Sequence, residues 1–374
     1  MDNIIDKIFS RQVGFLADAG PDDDIAISSR IRLARNISVY PFPSAASVQQ
    51  LHTVCDMAIL AVTNAKIFGN DSGYFLKMDE MPDLDKQLLL ERRLISRDFV
   101  RRNGGNALFV KPDESCAVMI NEEDHLRIQA LRSGLQLEKC FSDAREMDQK
   151  LENQIPFARN DSWGYLTSCP SNVGTGMRAS VMLHLPALTL SNKLKSAIQG
   201  VSKLGLTARG FLGEGTQNLG NLIQISNQST LGETEYQIIE RLNMVVKSLI
   251  EFEKNERQNL FSTKRFFLLD IIGRAYGILR HAYLLNSTET LNNLSLLRLG
   301  VDADLFNTVN IHTVNGLFVA TGPAHLQKYA KRELSATERD VYRATLVREQ
   351  LRQLPNENGE MTGAEASEST PPAE

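Results

Sequence analysis

The chain has 374 residues, 42% of them hydrophobic and 23% charged, a composition typical of a globular protein with one large core or two smaller ones. Asp and Glu (45) outnumber Lys and Arg (41), and the net charge of -4 argues against whole-surface attraction to DNA or to an anionic membrane. No stretch approaches the roughly 20 apolar residues of a membrane span, the N-terminus lacks a signal-peptide pattern, and the four cysteines form no CxxC pair, which together indicate a cytoplasmic protein with reduced thiols.

The first half of the chain alternates between helical and strand-like segments. A short helical lead is expected over residues 1–24, a strand over 27–35, a helix capped by Ser47 and another beginning near Pro82. The runs NALFVKP, SCAVMINE and HLRIQAL, separated by turn signals, predict an antiparallel meander. SDAREMDQKLENQI then predicts a helix with Ser142 as its cap.

The second half changes from mixed to helical. RASVMLHLP predicts a strand, ALTLSNKLKSAIQGV one helix, and TARGFLGEGT and NLIQISNQ two further strands. From Gly232 the pattern is helical up to a last helix, where Ser335 and Glu338 form a capping box. We therefore predict an α+β fold, an antiparallel sheet flanked by helices and followed by a smaller all-helical domain. The expected divisions are a lead (1–24), the α+β domain (25–255), the helical domain (256–354) and a disordered acidic tail (355–374).

One glycine-rich segment imitates a dinucleotide-binding loop. GTGMRA satisfies G-x-G-x-x-A at Gly174, Gly176 and Ala179, but a strand rather than a helix is predicted to follow it. The residue 20 positions beyond Ala179 is Gln199, where an acid is required. The chain also contains neither the G-x-x-x-x-G-K-[ST] motif nor the G-x-S-x-G motif, so it carries no sequence signature of a P-loop NTPase or an α/β-hydrolase.

Arginines recur at the ends of four predicted strands. The planar, permanently charged guanidinium group matches phosphate oxygens in pairs, so convergent arginines in an acidic protein predict a clamp for a triphosphate. Arg35 has the opposite strand parity to Arg30 and Arg32, and we expect it to be structural. The arginines of the predicted clamp are Arg30, Arg32, Arg127, Arg178 and Arg209.

Two of these strand ends also carry glutamates. NEEDHLRIQ contains Glu122 and Glu123, and RGFLGEGT contains Glu214 between glycines. Carboxylates would repel phosphate, so they fit a cationic second substrate. Taken singly, each segment is also compatible with an ordinary solvated turn, and Cys169 in CPSNVGTG with a small buried hydrophobe.

Four segments in this order, SSRIRLARN, NEEDHLRIQ, CPSNVGTGMRASVMLHLP and RGFLGEGT, closely resemble the signature segments of the phosphagen (guanidino) kinase family, over roughly residues 25 to 250. Within the family, the chain is most similar to the bacterial branch that phosphorylates arginine side chains of proteins. The motifs begin within the first thirty residues, leaving no room for the N-terminal helical domain of the free-guanidine kinases, and a helical domain follows instead. RDVYRA, which alone would indicate an exposed charged helix face, fits the R-D-x-x-R-A pattern of that branch's phosphoarginine pocket.

The resemblance implies ATP and Mg²⁺ as reactants and assigns roles by position. Glu123 and Glu214 would hold and deprotonate the target guanidinium, Cys169 would lie beside it, and Glu122 would contact Mg²⁺ through water. Arg93 stands where that branch usually has a nucleotide-binding His. The implied ATP-binding residues are Ser28, Ser29, Arg30, Ile31, Arg32, Arg93, Arg127, Arg178, Ala179, Ser180, Val181, Met182, Arg209, Gly210, Phe211, Leu212, Gly213 and Glu214. The implied phosphoarginine pocket comprises Arg339, Asp340, Arg343 and Ala344.

The resemblance also implies partners. They are arginine-bearing protein substrates, an unfoldase–protease that degrades the marked proteins, stress-response repressors and a zinc-binding activator protein. It implies a homodimer that binds neither nucleic acid nor membrane directly. Two alternatives stay open on the sequence alone: a kinase of a free guanidino metabolite such as arginine, and a weakly active adaptor that binds phosphoarginine.

Overall fold

The computed structural model describes residues 4–69, 73–210, 218–306 and 308–352. The helices are α1 (Ile4–Phe9), α2 (Gly14–Ala17), α3 (Val48–Ala65), α4 (Asp83–Glu91), α5 (Arg97–Arg101), α6 (Leu137–Glu152), α7 (Pro186–Leu190), α8 (Leu194–Lys203), α9 (Glu235–Thr263), α10 (Arg265–His281), α11 (Ser287–Asp302), α12 (Ile311–Ala320), α13 (Pro323–Ala330) and α14 (Ala336–Arg352). The strands are β1 (Ala26–Arg35), β2 (Tyr74–Lys77), β3 (Ala107–Val110), β4 (Cys116–Ile120), β5 (Leu126–Ser133), β6 (Arg159–Asn160), β7 (Gly164–Tyr165), β8 (Met177–His184), β9 (Leu206–Gly210) and β10 (Leu222–Asn227).

Eight strands form one antiparallel sheet in the order β2-β3-β4-β5-β1-β8-β10-β9, and β6 and β7 form a separate hairpin. β1 is ten residues long and lies inside the sheet, paired with β5 on one side and β8 on the other. The predicted meander is present as β3, β4 and β5. The predicted α+β class, with an antiparallel sheet and C-terminal helices, is confirmed.

The two faces of the sheet differ in character. Ile31 and Leu33 of β1 belong to a large hydrophobic core that also contains residues of α3, α6 and α9. The other face is apolar at the β2 end of the sheet and again where the C-terminal helices pack on it. At the β2–β4 end it packs in a cluster with residues of α1 and α4, while Met182 and Leu222 join the core of the C-terminal helices. The middle of this second face is polar, and the candidate site lies there.

One long helix, α9, joins the sheet domain to the C-terminal helices, because its residues belong to the cores of both. α9 runs from Glu235 to Thr263, so the division expected after residue 255 falls within a continuous helix. The expected tail, 355–374, lies outside the described residues. Within the described ranges, no helix is both long and apolar enough to cross a membrane.

Local capping signals set some helix starts, and two predictions about helices differ from the structure. Ser47 and Ser335 cap α3 and α14 as predicted, each in a capping box. The prediction of Ser142 as a cap is wrong, because α6 already begins at Leu137, and burial of Leu137 and Phe141 extends the helix past the serine. The single helix predicted over ALTLSNKLKSAIQGV is two helices, α7 and α8, separated at Asn192, whose φ is +59°.

Candidate active site

The strand register places all five arginines of the predicted clamp on one face of the sheet. Arg32 lies opposite Arg178 across β1 and β8, and Arg127 lies opposite Ala34 across β5 and β1. Residues directly opposite each other project from the same face, as do alternate residues of one strand, so Arg30 joins them. Gln224 of β10 is opposite both Met182 of β8 and Arg209 of β9, which continues the face to the sheet edge.

The cluster is strongly electropositive and partly withdrawn from water. Burial, followed by repulsion from Arg93, Arg127 and Arg178, lowers the pKa of Arg30 to about 9. Burial and the same kind of repulsion lower the pKa of Arg32 well below its usual value. Among the described residues, the buried Nε of Arg32 has no hydrogen-bond partner. Unpaired buried donors among like charges are stabilised by a bound anion, so the cluster fits phosphate.

A small pocket opens beside the cluster. Arg30 Nη2 donates to Gln224 Oε1 (2.9 Å) across its wall. Arg93 reaches this pocket from the end of α4 with a φ of +61°, and its carbonyl accepts from Gln129 Nε2 (2.9 Å). Burial lowers the pKa of Arg93 to about 10. The lining residues are Ser28, Arg30, Arg93, Leu131, Ser180, Met182 and Gln224.

Not every residue of the predicted ATP segments faces this site. Ile31, Ala179 and Val181 lie in the core on the opposite face of the sheet. Ser29 is buried and its hydroxyl donates to the carbonyl of Gly134 (2.8 Å). These four residues stabilise the sheet from its other face, whereas Ser28, Ser180 and Met182 line the pocket.

Glu122 is a buried anchor for Arg127. Its carboxylate accepts hydrogen bonds from the Ser96 hydroxyl, from Arg127 Nη1 (2.5 Å) and from the Glu123 amide (3.0 Å). Burial alone would raise the pKa of Glu122, but Arg127 and these hydrogen bonds outweigh it, and the pKa is lowered. Glu122 therefore stays ionised and orients the Arg127 guanidinium.

Glu123, the next residue, is half-buried and has the opposite tendency. Burial first, and then its neighbours Asp124, Glu122 and Asp98, raise the pKa of Glu123 against the opposing charge of Arg127. A raised pKa makes this carboxylate a better proton acceptor than an ordinary glutamate. The second predicted carboxylate, Glu214, lies outside the described residues, as do Phe211, Leu212 and Gly213.

The loop that carries Cys169 is tied to the glutamate turn. Asp124 Oδ1 accepts from Asn36 Nδ2 (2.6 Å) and from the backbone amide of Ser168 (2.7 Å). Cys169 itself is partly exposed, and its Sγ lies 3.0 Å from Ser171 Oγ. Asn36 lies in SSRIRLARN and Asp124 in NEEDHLRIQ, but neither was predicted as a site residue. The one feature of the sequence that could have indicated them is that both are polar residues next to apolar strand residues.

The charges of Cys169 and Glu123 both act on Arg178. Burial and then the charges of Arg209 and Arg127 lower the pKa of Arg178, while Cys169 and Glu123 oppose that shift. The Glu123 carboxylate and the Cys169 thiol are therefore close enough to the arginine cluster to interact with it electrostatically.

The RDVYRA helix places its residues in two environments. Arg343 is buried and donates to Thr321 O (3.0 Å), Leu285 O (2.7 Å) and Asp340 Oδ1 (2.6 Å), which joins α14 to its neighbours. Ala344 is in the core of the C-terminal helices. Arg339 and Asp340 are half-exposed and Val341 is exposed, so the charged side chains of this motif that a ligand could reach are Arg339 and Asp340.

A sheet face with five arginines, next to a carboxylate with a raised pKa and an accessible thiol, is the arrangement expected of a phosphotransferase. Residues 56–256 match the family model for the C-terminal catalytic domain of ATP:guanido phosphotransferases. Residues 265–362 match the model for the protein-arginine kinase McsB C-terminal domain. The chain therefore belongs to the ATP:guanido phosphotransferase family, in its protein-arginine kinase branch, which confirms the resemblance drawn from the motifs.

The relatives agree with this placement. The chain is 43% identical to the protein-arginine kinase of Halothermothrix orenii, over 93% of this chain and 98% of that protein. It is 42% identical to the protein-arginine kinase of Shouchella clausii, over 89% of this chain and 93% of that protein.

Two solved structures share the fold. One is the duplicated taurocyamine kinase from Schistosoma mansoni with bound transition state analog components, which is 27% identical with a TM-score of 0.57 over 66% of this chain and 36% of that chain. The other is a lombricine kinase, which is 25% identical with a TM-score of 0.55 over 66% of this chain and 70% of that chain.

Proposed function

We propose that the protein transfers the γ-phosphoryl group of ATP to the guanidinium group of arginine residues in proteins. The kinase class follows from the family. The observation that best supports ATP as the donor is the single sheet face carrying Arg30, Arg32, Arg127, Arg178 and Arg209, with the Nε of Arg32 buried and unpaired among the described residues.

The arginines would act mainly by position and charge. Phosphoryl transfer asks for little covalent chemistry from the protein, so alignment and neutralisation of phosphate charge dominate. Glu122 keeps Arg127 in place, and Gln224 does the same for Arg30. A bound Mg²⁺ would neutralise further charge on the phosphate oxygens.

The residues present offer Mg²⁺ few direct ligands. The Glu122 carboxylate is already hydrogen-bonded to Ser96, Arg127 and the Glu123 amide, which supports contact with the metal only through water. In the part of the chain that the structure describes, no group of three or more His, Cys, Asp or Glu side chains could hold a metal. The ion would then be held chiefly by the phosphates of ATP.

Glu123 is the proposed proton acceptor. A guanidinium has a pKa above about 12 and offers no lone pair until it loses a proton. As the new N–P bond forms and the P–O bond to the leaving ADP breaks, that proton passes to the Glu123 carboxylate, whose pKa is raised. By resemblance Glu214 would hold the other side of the guanidinium, and Cys169 would lie beside it.

The resemblance supports further proposals about regulation. Arg339 and Asp340 would bind phosphoarginine on a framework provided by Arg343 and Ala344, which makes the helical domain an allosteric sensor. Phosphorylated proteins would pass to an unfoldase–protease, and stress-response repressors would be among the substrates. We further propose a cytoplasmic homodimer that responds to a zinc-binding activator protein.

One labelling experiment tests the reaction. The protein is incubated with γ-labelled ATP, Mg²⁺ and either a protein substrate or free arginine, and the stability of the label in acid is measured. Acid-labile label on protein but not on free arginine is the expected result. Label on free arginine would indicate a metabolite kinase, and acid-stable label would indicate phosphorylation of hydroxyl groups.

A further inference from the structure

Three consecutive residues at the end of α4 contact three different parts of the molecule. Glu91 binds helix α13 of the C-terminal region, Arg92 binds the N-terminal segment and Glu114, and Arg93 lines the pocket beside the arginine cluster. The end of α4 therefore links the C-terminal helices to the candidate nucleotide site within three residues.

The contact between Glu91 and α13 is extensive for one side chain. Glu91 Oε1 accepts from the Ala324 amide (2.8 Å), and Oε2 accepts from the His325 amide (3.1 Å) and lies 2.6 Å from His325 Nδ1. A carboxylate at a helix N-terminus satisfies amides that the helix leaves unpaired. Gly322 leaves room for it, because a Cβ there would come within 2.5 Å of Glu91 Oε2.

Arg92 makes the end of α4 rigid. Its guanidinium is buried and is bound to Glu114 (Nη2–Oε1 2.5 Å) and to the carbonyls of Arg11 (3.1 Å) and Gln12 (3.2 Å). These bonds and the docking of Glu91 on α13 hold two adjacent residues just before Arg93, so loss of the Glu91 contact would let the end of α4 shift as a short unit.

Arg93 is held at the other end of this unit. Its left-handed backbone ends α4, and Gln129 on the arginine face of β5 binds its carbonyl. The direction of the Arg93 side chain therefore depends on the position of the end of α4 relative to the sheet.

We propose that Glu91 is a positioning residue, which docks α13 on the end of α4 and thereby sets the place of the Arg93 guanidinium in the nucleotide site. This inference rests on the proposed function, in that Arg93 contacts the nucleotide. Movements of the C-terminal helices then change nucleotide affinity through this contact.

The test compares Glu91→Gln with a matched control across the same helix pair. Lys328 of α13 binds Asp85 of α4 (2.8 Å) and, more distantly, Asp6 (3.5 Å), but it does not adjoin Arg93. Steady-state phosphorylation of a protein substrate is measured at varied MgATP. Glu91→Gln should raise the KM for MgATP by about 3- to 10-fold and change kcat by less than about 2-fold, because a misplaced binding group weakens binding. Lys328→Ala should leave both within about 2-fold.

Two further variants complete the design. Gly322→Ala pushes on the Glu91 carboxylate from the α13 side and should raise the KM for MgATP in the same way, and it carries the test if Glu91→Gln fails to fold. In an Arg93→Ala background, Glu91→Gln should add nothing to the KM, because both changes act through one contact.

Three results would overturn the inference: an unchanged KM in Glu91→Gln, an equal rise in Lys328→Ala, or additive effects with Arg93→Ala. Failure of the unmutated protein to phosphorylate arginine would instead refute the proposed function, so the two failures are distinguishable.

Discussion

Arg32 and Arg178 are directly opposed across β1 and β8, so two guanidinium groups stand side by side on the same face of the sheet. Like charges in this position destabilise a sheet, and burial increases the penalty here. A bound polyanion would relieve this repulsion.

Arg178→Gln should therefore make the protein more stable but weaken its binding of nucleotide. Removing one charge should raise the free energy of unfolding of the nucleotide-free protein by about 0.2–1 kcal/mol. The KM for MgATP should rise by about 10- to 150-fold, as expected for the loss of a charged hydrogen bond of about 1.5–3 kcal/mol. Urea denaturation without nucleotide and steady-state kinetics measure the two effects. A loss of stability in the nucleotide-free variant would show that the pair is not repulsive.

Glu123→Gln tests the proton acceptor. The amide keeps the shape of the side chain but cannot take the proton, so kcat should fall by about 10²- to 10⁴-fold while the KM for MgATP changes by less than about 3-fold. Asp98→Asn is a suitable control, because Asp98 is exposed on α5 and influences Glu123 only electrostatically. Near-normal turnover in Glu123→Gln would assign the proton to another group.

Arg35→Ala should destabilise the fold, because Arg35 lies away from the arginine face and has no direct role in phosphoryl transfer. Arg35 is buried, forms two hydrogen bonds to Asp148 (2.9 and 2.8 Å), and stacks 3.5 Å above the ring of Tyr165. The change leaves a buried carboxylate unpaired and should lower the free energy of unfolding by about 3–5 kcal/mol. The exposed pair Arg274–Asp270 is the control, and Arg274→Ala should cost less than about 1 kcal/mol. Similar losses in both variants would contradict the structural role of Arg35.

We expect acid to lower the free energy of unfolding, because two histidines are buried. Burial lowers the pKa of His125 to about 4, and burial with the charges of Arg298 and Arg257 lowers the pKa of His184 well below its usual value. An unfolded histidine titrates near 6.5, so the unfolded state binds more protons below that pH. The stability due to neutral His125 is complete above about pH 6.5 and is lost as the pH falls towards 4.

Urea denaturation between pH 7 and pH 4.5 measures this dependence. His125→Asn should be less stable at pH 7, because His125 Nδ1 accepts from the Ile37 amide (3.0 Å), but its stability should fall less steeply with acid. An identical pH dependence in the variant would exclude His125 as a source of the effect.

Cys169 is expected to be the oxidation-sensitive thiol. Cys55 and Cys116 are buried, which raises the pKa of Cys55 to about 12 and that of Cys116 to about 11, and burial also raises the pKa of Cys140. Cys169 is partly exposed and lies beside the glutamate turn. Hydrogen peroxide should inactivate both the unmutated protein and the Cys116→Ser control. The Cys169→Ser variant should keep, after treatment, the activity that it had before treatment. Inactivation that persists in Cys169→Ser would place the sensitive group elsewhere.

Some features of the site follow from local sequence. Strand parity separates Arg35 from Arg30 and Arg32, because successive side chains of a strand point to opposite faces, and the structure places Arg35 in a buried ion pair. Capping by Ser47 is equally local, since all its partners lie within four residues. The motif segments likewise carried the family assignment without knowledge of the fold.

Other features depend on contacts between distant segments. The register between β1, β5 and β8 brings Arg127 and Arg178 to the face of Arg32, and no local pattern specifies that register. The buried role of Arg343 and the docking of Glu91 on α13 arise only when helices pack together. Parity and caps are properties of neighbours in the chain, whereas register and helix docking are set by which apolar surfaces are buried together, and the tertiary structure alone decides that.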